Sequence, residues 1–246
     1  MSTLAYPQLM QYPVVKRRKL RTVVNRSADG HVVSLADTPG GVTEWQLQYG
    51  GLSDAELAVL ETFFAAAEGT LNPFTFLDPE ANLLAWSGKL DEAAWVKGPA
   101  LTLSSTSGGW QVSNPGAGAQ SITQTIEGPA GIVYCLSASI EGAAGSTVTL
   151  LAGSQRAPQT LLGGRQRIVF STAPDAATFG LELPAGGAVT IAGFQVEAQP
   201  GASTYRGSTR GGVYVGARLG TDALDIVTTD VNRHSCTVRV FYADHL

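Results

Sequence analysis

The sequence predicts a mainly β chain: a small α+β unit, an antiparallel sheet plus one helix, interrupted by an inserted β-sandwich of the jelly-roll type. Three observations carry this. First, the texture changes twice. Residues 1–81 and 206–246 hold the basic cluster, an acidic helix and β-branched strands, whereas 82–205 is rich in Gly, Ala, Ser and Thr and about a tenth charged. Such an A–B–A order is what insertion into an exposed loop of a host domain leaves behind. Second, the outer parts contain one sharply bounded helix among alternating strands. Third, the middle part carries turn residues at strand-plus-turn spacing throughout. The expected domains are therefore 1–81 with 206–246, and 82–205.

In the host part, Glu44-Trp45-Gln46-Leu47-Gln48-Tyr49 alternates polar and apolar residues with period 2 and reads as a strand. Ser53-Asp54-Ala55-Glu56 is a capping box, in which the Ser hydroxyl accepts from the third helical amide and Glu56 reaches back to the cap. Leu57, Leu60, Phe64 and Ala67 follow at spacings of 3 and 4, Leu52 precedes the cap as a staple, and Gly69 suits the C′ position. A helix over 53–68 with one face against a sheet is predicted. Strands are expected at 73–77, ended by Asp78-Pro79, at 223–227 and at 236–242, with a polar turn over 230–235. The middle part should contribute strands at 120–126, 132–140, 147–151, 167–171, 178–183 and 188–196. Its size, about 120 residues, suits one jelly-roll sandwich.

Composition excludes several classes. With 44% hydrophobic and 15% charged residues, the chain is neither disordered nor, since its 29 Gly have no fixed period, collagen-like. A net charge of −4 argues against nucleic acid as the main partner. No apolar run is long enough to cross a membrane, and no apolar block with a cleavage site marks a secretory leader in 1–18. Cys135 and Cys236 are expected to be reduced, buried thiols.

No catalytic grouping stands out. His31, His234 and His245 lie outside any zinc-binding spacing. Gly116-Ala117-Gly118 lacks the third glycine of a dinucleotide loop, since Ser121 stands there, and neither a P-loop nor a Gly-x-Ser-x-Gly elbow exists. Asp230, His234 and Ser235 are neighbours along a turn, which rarely converge as a triad. Asp91, Glu92, Asp175 and Glu197 are too scattered for calcium and read as solvated loop residues. The expectation is a protein without enzymatic activity, cofactor or metal. Sugars stack on exposed aromatic rings, because the C–H groups of one pyranose face meet the π-cloud. Trp86 and Trp95 read as core, whereas Trp110, after Gly108-Gly109 at the start of an amphipathic strand, and then Tyr134 are the glycan-binding candidates.

Two resemblances are carried by quoted motifs. The stretch 45–79 resembles the siphophage distal tail protein and lambda-type minor tail protein M family. That family shows a strand, a helix of the pattern D/E-x-x-x-L-x-x-F-F, a Gly loop and F-x-F/W-x-D/P-P, found here within 54–64, at Gly69 and in Phe74-Thr75-Phe76-Leu77-Asp78-Pro79. The family's closing strand is matched by 237–242. The long interruption after Pro79 departs from the family pattern. That interruption opens with Asn82-Leu83-Leu84-Ala85-Trp86-Ser87 and Ala93-Ala94-Trp95, and closes with Gln195-Val196-Glu197 through Thr204-Tyr205. Both ends are similar to carbohydrate-binding-module-like jelly rolls of phage tail proteins.

The first resemblance implies a structural virion protein of a long-tailed phage, made in the host cytoplasm, forming a six-copy ring at the tail tip beside tail tube and tail hub proteins. The second implies a jelly roll that touches host-surface polysaccharide or neighbouring tail proteins. The alternative is a carbohydrate-binding protein acting in glycan adhesion outside a phage tail. The cluster Lys16, Arg17, Arg18 and Lys19, with Arg21 and Arg26, has three readings: a phosphate-binding patch, a solvated hairpin edge that resists pairing, or a subunit interface complementary to Asp54, Glu56 and Glu61.

Overall fold

The computed structural model describes residues 4–8 and 11–243 and, for side chains, 6–8, 11–36 and 41–243. The chain is mainly β, with one α-helix among the described residues. Its elements are β1 (Leu4–Ala5), β2 (Gln11–Arg26), β3 (Val32–Leu52), α1 (Asp54–Ala67), β4 (Phe74–Leu77), β5 (Val96–Lys97), β6 (Thr102–Thr106), β7 (Gly109–Ser113), β8 (Gln120–Thr125), β9 (Tyr134–Gly142), β10 (Thr147–Ala152), β11 (Gln155–Thr160), β12 (Gly164–Thr172), β13 (Thr178–Leu183), β14 (Ala188–Glu197), β15 (Val213–Leu219), β16 (Ile226–Asp230) and β17 (Arg233–Ala243). Contacts group them into two units, Met1–Phe76 with Tyr214–Leu246, and Leu77–Val213.

The first unit is a sheet in the order β1-β4-β15-β17-β3-β2, with β16 added beside β17. Period 2 in β3 turns Trp45, Leu47 and Tyr49 inward and leaves the intervening glutamines half-buried. These join Tyr6, Phe74, Phe76 and Tyr214 in one aromatic-rich core. Trp45 lies 4.6 Å from the Tyr214 ring and 4.9 Å from that of Phe76.

Helix α1 packs on β3 and β17. Its N-terminus is the predicted capping box: Ser53 Oγ accepts from Glu56 N, and Ser53 N donates to Glu56 Oε2 at 2.9 Å. The buried stripe is Leu57, Leu60, Phe63 and Ala67. Phe63 thus takes the core position expected of Phe64, which is half-buried. Both fit a helical repeat, and the rings of Tyr6 and Phe74, each 5.0 Å away, select Phe63. Gly69 follows the C-cap at φ +60°, and a Cβ there would sit 2.5 Å from Asp222 Oδ1, so both backbone conformation and space demand glycine.

Two hairpins flank the sheet. β16 and β17 join through Val231 and Asn232, with Asn232 at φ 54°. The strand therefore runs to Asp230, where a turn over 230–235 was predicted, because Thr228-Thr229-Asp230 is polar as an exposed strand and not as a turn. β2 pairs β3 as far as Arg26 and Val32, whereas β17 pairs β3 only from Val42 to Leu52. The distal part of the β2–β3 hairpin is therefore a two-stranded ribbon.

The second unit is a sandwich of two five-stranded sheets, β11-β10-β13-β8-β5 and β12-β9-β14-β7-β6. Every pairing in it is antiparallel. Side chains such as Leu136, Ile140, Leu150, Phe179 and Phe194 form its core. β11 was not foreseen, because its polar residues and Pro158 suit only a sheet edge. The division falls at 76/77 and 213/214, away from the expected 81/82 and 205/206. Leu77 belongs to the sandwich core, and the flanking segments bond to each other, Asp78 N donating to the Gly212 carbonyl and Gly212 N to the Asn82 carbonyl, both at 2.9 Å.

Candidate functional site

The register of the β12-β9-β14-β7-β6 sheet fixes what its two faces present. Tyr134, Leu136, Ala138 and Ile140 of β9 point into the core, so Ser137, Ser139 and Glu141 point out. Paired on the outer face are Arg165, Arg167, Thr190, Gly193, Gln195 and Gln111.

Part of that face is closed by the segment 199–206. Gln195 Oε1 accepts from Arg206 N at 2.7 Å, and Glu197 accepts from Ser203 N at 3.0 Å and from Ser203 Oγ at 2.5 Å. Tyr205 lies where a Cβ on Gly193 would project, its Cε2 2.7 Å from that point. Asn82, buried, completes the closure. Its Nδ2 donates to the carbonyls of Phe194 (2.8 Å) and Arg206 (3.1 Å), while its Oδ1 accepts from Leu84 N and Val196 N (both 3.1 Å). The opening and closing motifs are thus two halves of one latch. Glu197, read from the sequence as a solvated loop residue, is buried and structural.

The rest of the face holds an open depression of about 290 Å³ lined by Gln111, Glu141, Val189 and Thr190 among others. Arg165 donates to the Gly108 carbonyl at 2.8 Å and lies 3.5 Å from Glu141, while Arg167 donates to Ser137 Oγ at 2.7 Å. Amide, hydroxyl, guanidinium and carboxylate groups gathered on one sheet face can hydrogen-bond a polar chain. A nucleophile and base held in hydrogen-bond contact do not occur among these residues.

The glycan candidates require correction. Tyr134 is fully buried, its ring 5.1 Å from Phe179 and its hydroxyl donating to the Pro129 carbonyl at 2.8 Å, so it cannot stack on a sugar. Trp110 shares the inner face with Val112, is half-buried against the core and donates its indole N–H to the Gly88 carbonyl at 3.0 Å. It is a rim residue of the core. The signal was present, since both aromatics alternate in phase with core aliphatics. The residue the sequence reading missed is Trp86, which was assigned to the core and is only half-buried.

In the first unit, Lys16, Arg17, Arg18 and Lys19 are consecutive on the edge strand β2 and alternate between its faces. Lys16 Nζ lies 5.4 Å over the Trp45 ring, and Lys19 pairs with Glu44 at 2.7 Å, a hydrogen bond that holds the Glu44 carboxyl below its ordinary range. The acidic set is engaged locally. Asp54 binds His234 Nε2 at 2.7 Å, Glu56 serves the cap, and Glu61 is exposed on the helix surface. His234 Nδ1 contacts Thr228 Oγ1 at 3.0 Å rather than forming a group with Asp230 and Ser235. His245 lies outside the described residues. Cys135 and Cys236 are buried free thiols. No cluster of metal-ligating side chains occurs among the described residues.

No family model matches the chain, and no curated protein matches it. Among solved structures it is similar to the enzymatically active domain of tailspike protein 4 of bacteriophage CBA120, at 15% identity over 50% of this chain and a TM-score of 0.38. That match spans only 22% of the tailspike chain. It is also similar to TmCBM61 in complex with β-1,4-galactotriose, at 17% identity over 48% of this chain and 99% of that one, TM-score 0.36. A third likeness is BiXyn10A CBM1, at 13% identity over 51% and 97%, TM-score 0.35.

Proposed function

We propose that this protein is a structural and adhesive component of a long-tailed phage virion. In this reading the sheet-and-helix unit assembles into a ring at the tail tip, six copies by the resemblance of its motif, beside tail tube and tail hub proteins. The sandwich contacts host-surface polysaccharide or neighbouring tail proteins. The chain carries out no chemistry of its own, and its place is the virion.

One observation supports assembly above the others. β2 is a sheet edge 16 residues long, rich in Lys and Arg, whose distal part pairs with β3 alone. Leu20, Val24, Val32, Val33 and Leu35 stand exposed on that ribbon. An isolated two-stranded ribbon is marginal in water, and an edge with exposed apolar side chains is a template for another chain. The basic residues steer that contact toward an acidic partner and against indiscriminate pairing.

The test is the assembly state across concentration and salt, by analytical ultracentrifugation and negative-stain microscopy. The unaltered protein should form closed rings. The double variant Arg17→Glu/Arg18→Glu, both at exposed positions, should keep its circular dichroism and lose the rings. A protein that stays monomeric at every concentration overturns the assembly reading.

A further inference from the structure

We propose that the turn 86–89 at the start of the sandwich is a binding site for a pyranose carrying a carboxylate, such as a hexuronate unit of an acidic polysaccharide. This rests on the adhesion reading above and names the residues and ligand class.

Trp86 has φ +49°, a left-handed backbone conformation that a bulky side chain adopts at a cost and glycine does not. The surroundings hold it there. The Trp86 carbonyl accepts from Lys89 N at 2.9 Å and from Trp95 Nε1 at 3.0 Å. Ser87, fully buried, donates its N–H to the Ser208 carbonyl and accepts from Phe194 N, both at 3.1 Å, while its hydroxyl meets Tyr205 Oη at 3.1 Å. The next carbonyl, Gly88, takes the indole N–H of Trp110. Four aromatic side chains therefore belong to or bond with one rigid turn. The latch could be built with glycine at 86, without strain. A tryptophan is instead held there in a left-handed conformation with part of its ring open to solvent.

The group set over it defines the ligand. Lys89 is exposed, and its Nζ lies 5.4 Å over the Trp86 ring, while Tyr205, 38% exposed, reaches the same turn. An indole face takes either a cation or the C–H face of a pyranose. An ammonium on a long flexible stem can swing from the ring to an anion arriving there. A uronate offers both parts at once: axial C–H groups for the indole and a carboxylate for Lys89. A neutral sugar would have to displace the ammonium without compensation.

The experiment is affinity gel electrophoresis of the full-length protein in gels containing polygalacturonate, alginate, methyl-esterified polygalacturonate or neutral galactan. Retardation by the two polyuronates should exceed that by the methyl ester. Trp86→Gly, which removes the ring, should weaken polyuronate binding at least tenfold while the circular dichroism of the folded protein is kept. Lys89→Gln should remove the preference for the free acid over the ester. Equal retardation of protein and both variants by polyuronates overturns the site. Binding to galactan that Trp86→Gly leaves intact overturns the site while the adhesion reading stands. Absence of retardation in every gel, with rings present, overturns both.

Discussion

Asn82 is the residue on which the sandwich closes, and its removal is the most informative perturbation of the fold. In Asn82→Ala, the buried amides of Leu84 and Val196 lose their acceptor, and the carbonyls of Phe194 and Arg206 lose a donor. Leu84 and Val196 are themselves fully buried, so water reaches those amides poorly. Each buried donor left unsatisfied costs about 1–3 kcal/mol, so the two amides together imply a loss of about 2–6 kcal/mol. For a slope of about 2 kcal/mol per molar urea, that moves the unfolding midpoint by about 1–3 M. The assay is urea unfolding of the full-length protein followed by tryptophan fluorescence, to which Trp95, buried 5.0 Å from Phe194, contributes with Trp86 and Trp110 of the sandwich and Trp45 of the other unit. Amide exchange at Leu84 and Val196 should accelerate in parallel. Asn25→Ala, at an exposed position on β2, is the control and should stay within about 0.5 kcal/mol. If the two variants unfold at the same midpoint, the latch does not close the sandwich and the reasoning from its hydrogen bonds is wrong.

Two further outcomes follow from the same geometry. Gly193→Ala places a methyl group inside the Tyr205 ring and should cost about 1–3 kcal/mol; in a Tyr205→Ala background the same change should cost much less, and additive losses in this double-mutant cycle would show that the two residues do not touch. Burial pushes the Cys236 thiol up to about 11 and raises that of Cys135, so neither should react with a disulfide reagent in mildly alkaline buffer until denaturant is added, and rapid titration of the folded protein would contradict their burial.

Much of the architecture is legible in the sequence because its causes are local. The capping box at Ser53 and the period-2 runs in β3, β8, β13 and β14 each act within a few residues, so their elements form where the pattern stands. Long-range contacts decided the rest. Whether Phe63 or Phe64 enters the core depends on Tyr6 and Phe74, which no helical repeat contains. The strand at Thr228-Thr229-Asp230 runs on past the apolar pattern because Thr228 and Asp230 pair with His234 and Arg233 of β17. In the sandwich, alternation puts Trp110 in phase with Val112 and Tyr134 with Leu136, which points both inward, and the second sheet covers that face. Glu197 and Gln195 bond within and just beyond the closing motif, to Ser203 and Arg206, but what makes that segment structural is its tie to the opening motif: Asn82 and Arg206, joined by a hydrogen bond, are separated by 124 positions. Burial is a property of the surfaces that meet, and a sequence pattern carries the two faces of a strand without saying which of them will be covered.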